Sequence, residues 1–365
     1  MAYFKPDRKD FNHMRHLILV GGNTDEAWTK EDFAHYVTHL DRDGQPDDWM
    51  FDTFAFWHFK SPKGGFLYSD INIGTTRVGE GNFYAVPAPN PGTKEDWLSI
   101  IDWYFEPNIF AHALDMAIEE AEQKLGKREH KVNLVITIPY PGPLQTQFGE
   151  IDGQKLNFST TGQNLDMATR QRLKACIWFV DEIIRRFNEK KYRNINLLGF
   201  YWTFETVYRS WDIDDHWLLK ELYNELQKRD MKFFWIPFWS SYNVHLLEDY
   251  QNYYFDCAFL QPNYMFYKSI TDVDQAAKAA KRCNAGIEME FYASLNEPIQ
   301  VKDERLKRFR RYLEGGIEFG YMTESACAWF DGGKAIFKLY HHVDPAERGY
   351  YDDIYEFVSG TYKAK

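Results

Sequence analysis

Hydrophobic and polar positions along the 365-residue chain follow two rhythms. Short apolar runs that change face at every residue predict strands, and longer stretches with apolar residues three and four apart predict amphipathic helices. The run LLGFYWTFE at 197–205 is the clearest strand. Gly199, Tyr201, Thr203 and Glu205 share one face and Phe200, Trp202 and Phe204 the other, so an aromatic face is backed by a polar one that ends on a carboxylate. The run GIEMEFY at 286–292 repeats the design, with Glu288 and Glu290 opposite Ile287, Met289 and Phe291.

In chain order the pattern predicts strands over 16–22, 49–59, 132–140, 197–205, 232–239, 255–264, 286–292 and 325–331. Helices are predicted between them. One opens at Thr29 or Lys30 and runs to residue 40; one over 93–125 opens with Thr93 and its capping-box partner Asp96 and is divided by Pro107. Others cover 167–187 (Leu173, Cys176, Ile177, Val180, Ile184 and Phe187 on one face), 215–228, a short 244–250 and 303–319. One more opens at Thr271 with Asp274, and the last opens at Asp344 and Pro345. Eight strands alternating with helices predict parallel pairing and a single-domain (β/α)8 barrel over 1–365, with a doubly wound open sheet as the alternative. The nucleotide fingerprint of the open sheet is missing, because Gly79 and Gly81 lack a third glycine. Long excursions at 60–92 and 142–166 follow strands two and three. The second holds a hairpin at 148–158 turning at Asp152 and Gly153, and both excursions are expected to wall one side of a cleft.

A net charge of −11 disfavours nucleic acid and anionic membranes as partners. No stretch is long and apolar enough to span a bilayer, and the sequence as given shows no signal peptide. The four cysteines are unclustered and read as small, reduced core residues. Aromatic residues make up 18%, which suits both a large core and a site for sugars; both uses stay open.

Polar residues at strand exits supply the candidate chemistry. Glu205 on strand four and Glu290 and Glu288 on strand seven form the pair of carboxyl sources that glycoside hydrolysis needs, one to protonate the leaving oxygen and one to attack or to activate water. Glu290, nearer the strand exit, is favoured as nucleophile or base over Glu288 beneath it. Asn23, His58, Tyr140, Tyr201, Trp239, Gln261, Asn263, Tyr264, Trp329 and Asp331 are the candidate sugar contacts. For His58 a buried, hydrogen-bonded histidine is the commoner role. His35 and His39, four apart on the first helix, lack a third metal ligand and are expected on a solvated face; Asp41, Asp43, Asp47 and Asp48 around Gly44 lack the closing Glu of a calcium loop. Neither a metal nor an organic cofactor is expected.

The runs GFYWTFE, WIPFW, FDCAFLQPNYMF and GIEMEFY resemble a bacterial family, common in polysaccharide-degrading Bacteroidetes, catalogued as domain of unknown function 4855. The resemblance extends from strand one to strand eight and implies a barrel of glycoside hydrolase type, with an extracytoplasmic location if a signal has been removed. More distantly the chain is similar to the retaining glycosidase clan with acid/base on strand four and nucleophile on strand seven. That likeness maps the roles onto Glu205 and onto Glu290 or Glu288. The clan carries Asn before the strand-four Glu, where this chain has Phe204. A non-catalytic glycan-binding barrel is the alternative function.

Overall fold

The computed structural model describes residues 1–22, 27–68, 90–126, 130–239, 244–292 and 299–365. Strand β1 (His16–Gly22) leads to helix α1 (Lys30–Val37) and a short antiparallel hairpin, β2 (Thr38–Leu40) and β3 (Pro46–Trp49). Strand β4 (Thr53–His58) is followed by α2 (Lys94–Tyr104) and α3 (Phe110–Leu125), then by β5 (Val132–Ile138), the hairpin β6 (Gly149–Ile151) and β7 (Gln154–Leu156), and α4 (Leu165–Lys190). Next come β8 (Ile195–Trp202), α5 (Asp215–Gln227), β9 (Lys232–Trp235), α6 (Tyr250–Tyr253) and β10 (Cys257–Leu260). The chain finishes with α7 (Asp274–Arg282), β11 (Gly286–Phe291), α8 (Ile299–Phe319), α9 (Tyr321–Glu324), β12 (Cys327–Asp331), α10 (Ala335–Tyr340) and α11 (Pro345–Val358).

Strands β1, β4, β5, β8, β9, β10, β11 and β12 pair in parallel and close into a barrel in that order. The expected (β/α)8 fold is the observed one. Outward residues such as Phe54, Phe56, Phe200, Trp202, Met289 and Trp329 pack under the helices, while Leu17, Leu19, Ala55, Val135, Phe234, Phe259 and Ala328 fill the interior. The N-terminal segment closes the lower end. Phe4 bonds to the backbone of Ala285 and Ala326 at the starts of β11 and β12, and its ring meets Phe11 at 4.9 Å.

Helix starts follow the sequence signals where a side chain can reach back. Thr29 with Asp32 and Thr93 with Asp96 form capping boxes, Pro107 separates α2 from α3, and Asp344 caps α11 ahead of Pro345. Thr271 is not such a start. Helix α7 begins at Asp274 behind Val273 without a side-chain cap, and the neighbouring Asp272 pairs with Arg311 at 2.7 Å. The first helix stops at Val37, so His39 lies on β2, buried between Asp47 and Asp352 at 2.8 and 3.1 Å and stacked on Tyr355, and His35 is also buried. The expected solvated face is instead covered by α10 and α11. Asp41 accepts the N–H groups of Asp43 and Gln45, an ordinary hairpin turn. Strand β8 bulges at Leu198, since Leu134 pairs with Leu197 but Val135 with Gly199. A side chain at 199 would meet the Lys232 carbonyl at 2.0 Å, which is why glycine stands there. All four cysteines are buried free thiols, and among the described residues no helix is long and apolar enough to cross a membrane.

Candidate active site

Beyond Trp202 the backbone of β8 runs on to Phe204, whose carbonyl is held by the Trp235 indole N–H at 3.1 Å. The alternation established after the bulge turns Tyr201, Thr203 and Glu205 inward at the exit end of the barrel. There they line a cavity of about 350 Å³ together with Glu288 and Glu290 from β11 and Gln261 and Asn263 from the loop after β10. Its walls are aromatic: Trp57, Phe59, Tyr68, Phe266, Tyr267 and Phe330, with Leu19 also on the lining. Asn263 adopts a left-handed backbone (φ 54°), a conformation Asn tolerates better than most residues. Its carbonyl then accepts the N–H groups of Phe266 and Tyr267, making the turn that presents both rings to the cavity.

Glu205 keeps part of its surface open to the cavity, whereas Glu288 and Glu290 are 2% and 0% exposed. Burial pushes the Glu205 carboxyl up to about 7, against hydrogen bonds from Gln261 and Tyr68 that favour its ionised form. Glu290 is also raised, by burial first and by the charge of Glu205; the Tyr312 hydroxyl and the backbone of Asn263 pull it back. Tyr312 reaches in from α8, donating to Glu290 Oε2 and accepting the N–H of Met265 at 3.2 Å, while Glu290 Oε1 is buried without a hydrogen-bond partner. Glu288 rises well above the carboxylate range, by burial first and then by repulsion from Glu290 and Glu205. Three mutually repelling carboxyls in one largely buried site keep protons that ordinary glutamates release.

Of the residues expected from sequence, the structure brings Glu205, Glu288, Glu290, Tyr201, Gln261 and Asn263 to this cavity. Asn23 lies outside the described residues. His58 faces the helices and bonds through Nδ1 to the Tyr104 hydroxyl at 2.9 Å, because its face of β4 is the Phe54 and Phe56 face. Tyr140 is committed to Asp215 at 3.0 Å, beside the buried Arg172–Asp215 ion pair. Trp239 and Tyr264 pack against the outer core, Tyr264 under the Arg308 guanidinium. Trp329 points outward, its indole N–H bonded to His16 at 3.1 Å; Asp331, on the same face, accepts from Tyr36 and from the first N–H groups of α10.

Sequence reasoning missed Trp57, Phe330, Tyr68, Phe266, Tyr267 and Tyr312. A signal existed for the first two. On β4 and β12 the face with the smaller residues, Thr53 and Ala55 or Ala326 and Ala328, is the one that fits inside a barrel where eight strands converge, and Trp57 and Phe330 end those faces. No comparable period marks the loop residues Tyr68, Phe266 and Tyr267. A separate groove of about 410 Å³ lies outside the barrel between α1 and α3, away from the carboxyls. Among the described residues no group of three or more His, Cys, Asp or Glu side chains is arranged to hold a metal.

The fold and this cavity define a (β/α)8 barrel with a carboxyl-lined site at the strand exits. The chain belongs to the family described as Domain of unknown function (DUF4855), whose model matches residues 15–356. No curated protein matches it. Among solved structures it is similar to the catalytic domain of a family GH18 chitinase from the fern Peteris ryukyuensis, at 10% identity over 94% of this chain and 99% of that one, with a TM-score of 0.43. A GH18 chitinase from Pseudoalteromonas aurantia matches at 12% identity over 94% and 98%, TM-score 0.40. The spore cortex-lytic enzyme of Bacillus megaterium matches at 8% over 96% and 74%, TM-score 0.43.

Proposed function

We propose that the protein is a glycoside hydrolase whose reaction is carried by Glu205 and Glu290. The observation behind this reading is that β8 and β11 deliver carboxyls from separate sides into one aromatic-walled cavity. Glu205, partly open to the cavity, protonates the leaving oxygen as the glycosidic bond breaks. Glu290 supplies the carboxylate that attacks the anomeric carbon or activates the water that does, and Tyr312 together with the Asn263 backbone favours its ionised form. Glu288 receives no such help and keeps its proton, which lowers the repulsion that Glu290 would otherwise meet.

The cluster titrates as a unit. In the free protein the Glu205 carboxyl, raised to about 7, gives up its proton before Glu290, raised to about 8, so the form hydrolysis needs, a carboxylate on Glu290 and a proton on Glu205, is reached when that order is reversed. A bound glycan decides where the charge sits. Its glycosidic oxygen displaces water from Glu205 and keeps that carboxyl protonated, while positive charge developing at the anomeric carbon draws the negative charge to Glu290. Tyr201, Tyr68, Gln261 and Asn263 offer hydrogen bonds to hydroxyls, and the rings of Trp57 and Phe330 offer faces to the apolar side of a sugar.

Reducing-end release over a polysaccharide panel, with Glu205→Gln run beside the wild type, tests the reading. Release by the wild type and its loss in the variant are expected. Unchanged activity in Glu205→Gln would remove Glu205 as the acid, and tight binding of a glycan with no release would make the protein a glycan-binding barrel.

A further inference from the structure

The charge inventory of the cavity bears on which glycans can enter it. Three carboxyls, Glu205, Glu288 and Glu290, line it, and no Lys, Arg or His does so among the described residues. The other polar groups, Thr203, Gln261, Asn263 and the hydroxyls of Tyr68, Tyr201 and Tyr267, are neutral: they can hydrogen-bond a hydroxyl or an amide but carry no charge to offset an anion.

Four cations on the segments that follow the strands are engaged elsewhere. Arg172 is paired with Asp215 at 2.6 Å, and Lys334 with Asp32 at 2.9 Å. Arg308 holds the carbonyls of Tyr264 and Tyr267, and Arg305 lies 4.4 Å over the Tyr292 ring and bonds its carbonyl at 3.3 Å. The sequence of the segments that follow strands outside the described residues, 23–26, 69–89, 240–243 and 293–298, contains one cation, Arg77. Against it stand Asp25, Glu26, Asp70, Glu80 and Glu297.

Resting on the glycosidase reading above, we infer that the substrate is uncharged over the residues that enter the cavity, and that uronic acids and sulfated sugars are excluded. A sugar carboxylate or sulfate entering this site loses its water and finds no counter-ion among the described residues that line it. It also adds like charge beside a cluster already short of room for its own. Recognition of such anions calls for a guanidinium or ammonium facing the ring substituent, and the lining provides carboxyls in that role. At about 350 Å³ the cavity lies at the small end of the ~300–1,000 Å³ range of ligand pockets, so a charged substituent has little space in which to turn away from the cluster.

The test compares glycans that differ in charge alone. Neutral glucans, mannans, xylans and chitin oligosaccharides are assayed beside pectate, alginate and a sulfated galactan, and beside pectate and alginate whose uronates have been reduced to the neutral hexoses with ring and linkage kept and the galactan after desulfation. Reducing-end release by the wild type and calorimetric binding to Glu290→Gln are both measured. Binding confined to uncharged glycans is expected, and where a carboxyl-reduced polymer binds, its native form should bind on the order of 100-fold more weakly or worse. Binding or cleavage of a native uronate or sulfated glycan overturns the inference and leaves the hydrolase reading standing. Binding of neutral glycans without cleavage upholds the charge selection and defeats the hydrolase reading. If no glycan of either kind is bound or cleaved, both fall together.

Discussion

Glu288 carries the most one-sided electrostatics in the cluster, since burial and two neighbouring carboxyls all act to keep its proton on. Its folded-state pKa therefore lies above its unfolded value near 4.3. The stability this contributes is complete below that range and is lost as pH rises toward and through the folded value. Replacing Glu288 with Gln should raise the melting temperature by a few degrees at pH 8 and leave it nearly unchanged at pH 4; a difference independent of pH would contradict the assignment. Tyr312 acts in the opposite sense, because its hydroxyl favours ionised Glu290. Tyr312→Phe should lower kcat/KM roughly 10- to 100-fold and move the acid limb of its pH profile upward, an effect that mere loss of packing would not give. The inward direction of Glu205, Glu288 and Glu290 was legible as simple alternation. Tyr312 was not, because a helix residue reaching between strands leaves no periodic trace, and Tyr140 was misleading because its ring serves the Arg172–Asp215 pair instead of the cavity.

Elements tell a similar story through the hairpin β6 and β7. Its turn at Asp152 and Gly153 follows from the sequence, yet among the described residues that line the carboxyl cavity none comes from it. Phe148 and Phe158, at its two ends, are buried, and Phe148 packs edge-on to Trp97 at 4.8 Å between α2 and α4. The hairpin is thus part of the outer core. Phe148→Ala should cost about 3–5 kcal/mol in denaturant unfolding with little change in kcat, and a loss of substrate binding without loss of stability would return the hairpin to the cleft. The excursion at 60–92 contributes Tyr68 to the cavity, while its residues 69–89 lie outside the described residues. Strand parity was readable where one face carried carboxyls, as on β11. It failed on β4 and β12, where both faces end on residues able to bind a sugar and the decisive clue was bulk: Trp329 and Asp331 point out, and Phe330 points in.

For the whole molecule, alternation of strands and helices was enough to give the closed barrel and its parallel order. The plug formed by Phe4 and Phe11 at the lower end was not foreseen, since a short irregular segment carries no period, but its consequence is functional. With the floor filled, the cavity above Leu19 opens toward the strand exits, where the three carboxyls stand. The central claim is that Glu205 and Glu290 work as a pair while Glu288 sets their charge. It is tested most directly by kcat and Kd for Glu290→Gln and Glu288→Gln on whichever glycan the wild type cleaves. Glu290→Gln should lose on the order of 10³-fold or more in kcat with Kd nearly unchanged, and Glu288→Gln should stay within roughly 10-fold with a displaced pH optimum. A dead Glu288→Gln beside a mild Glu290→Gln would contradict this account and exchange the two roles.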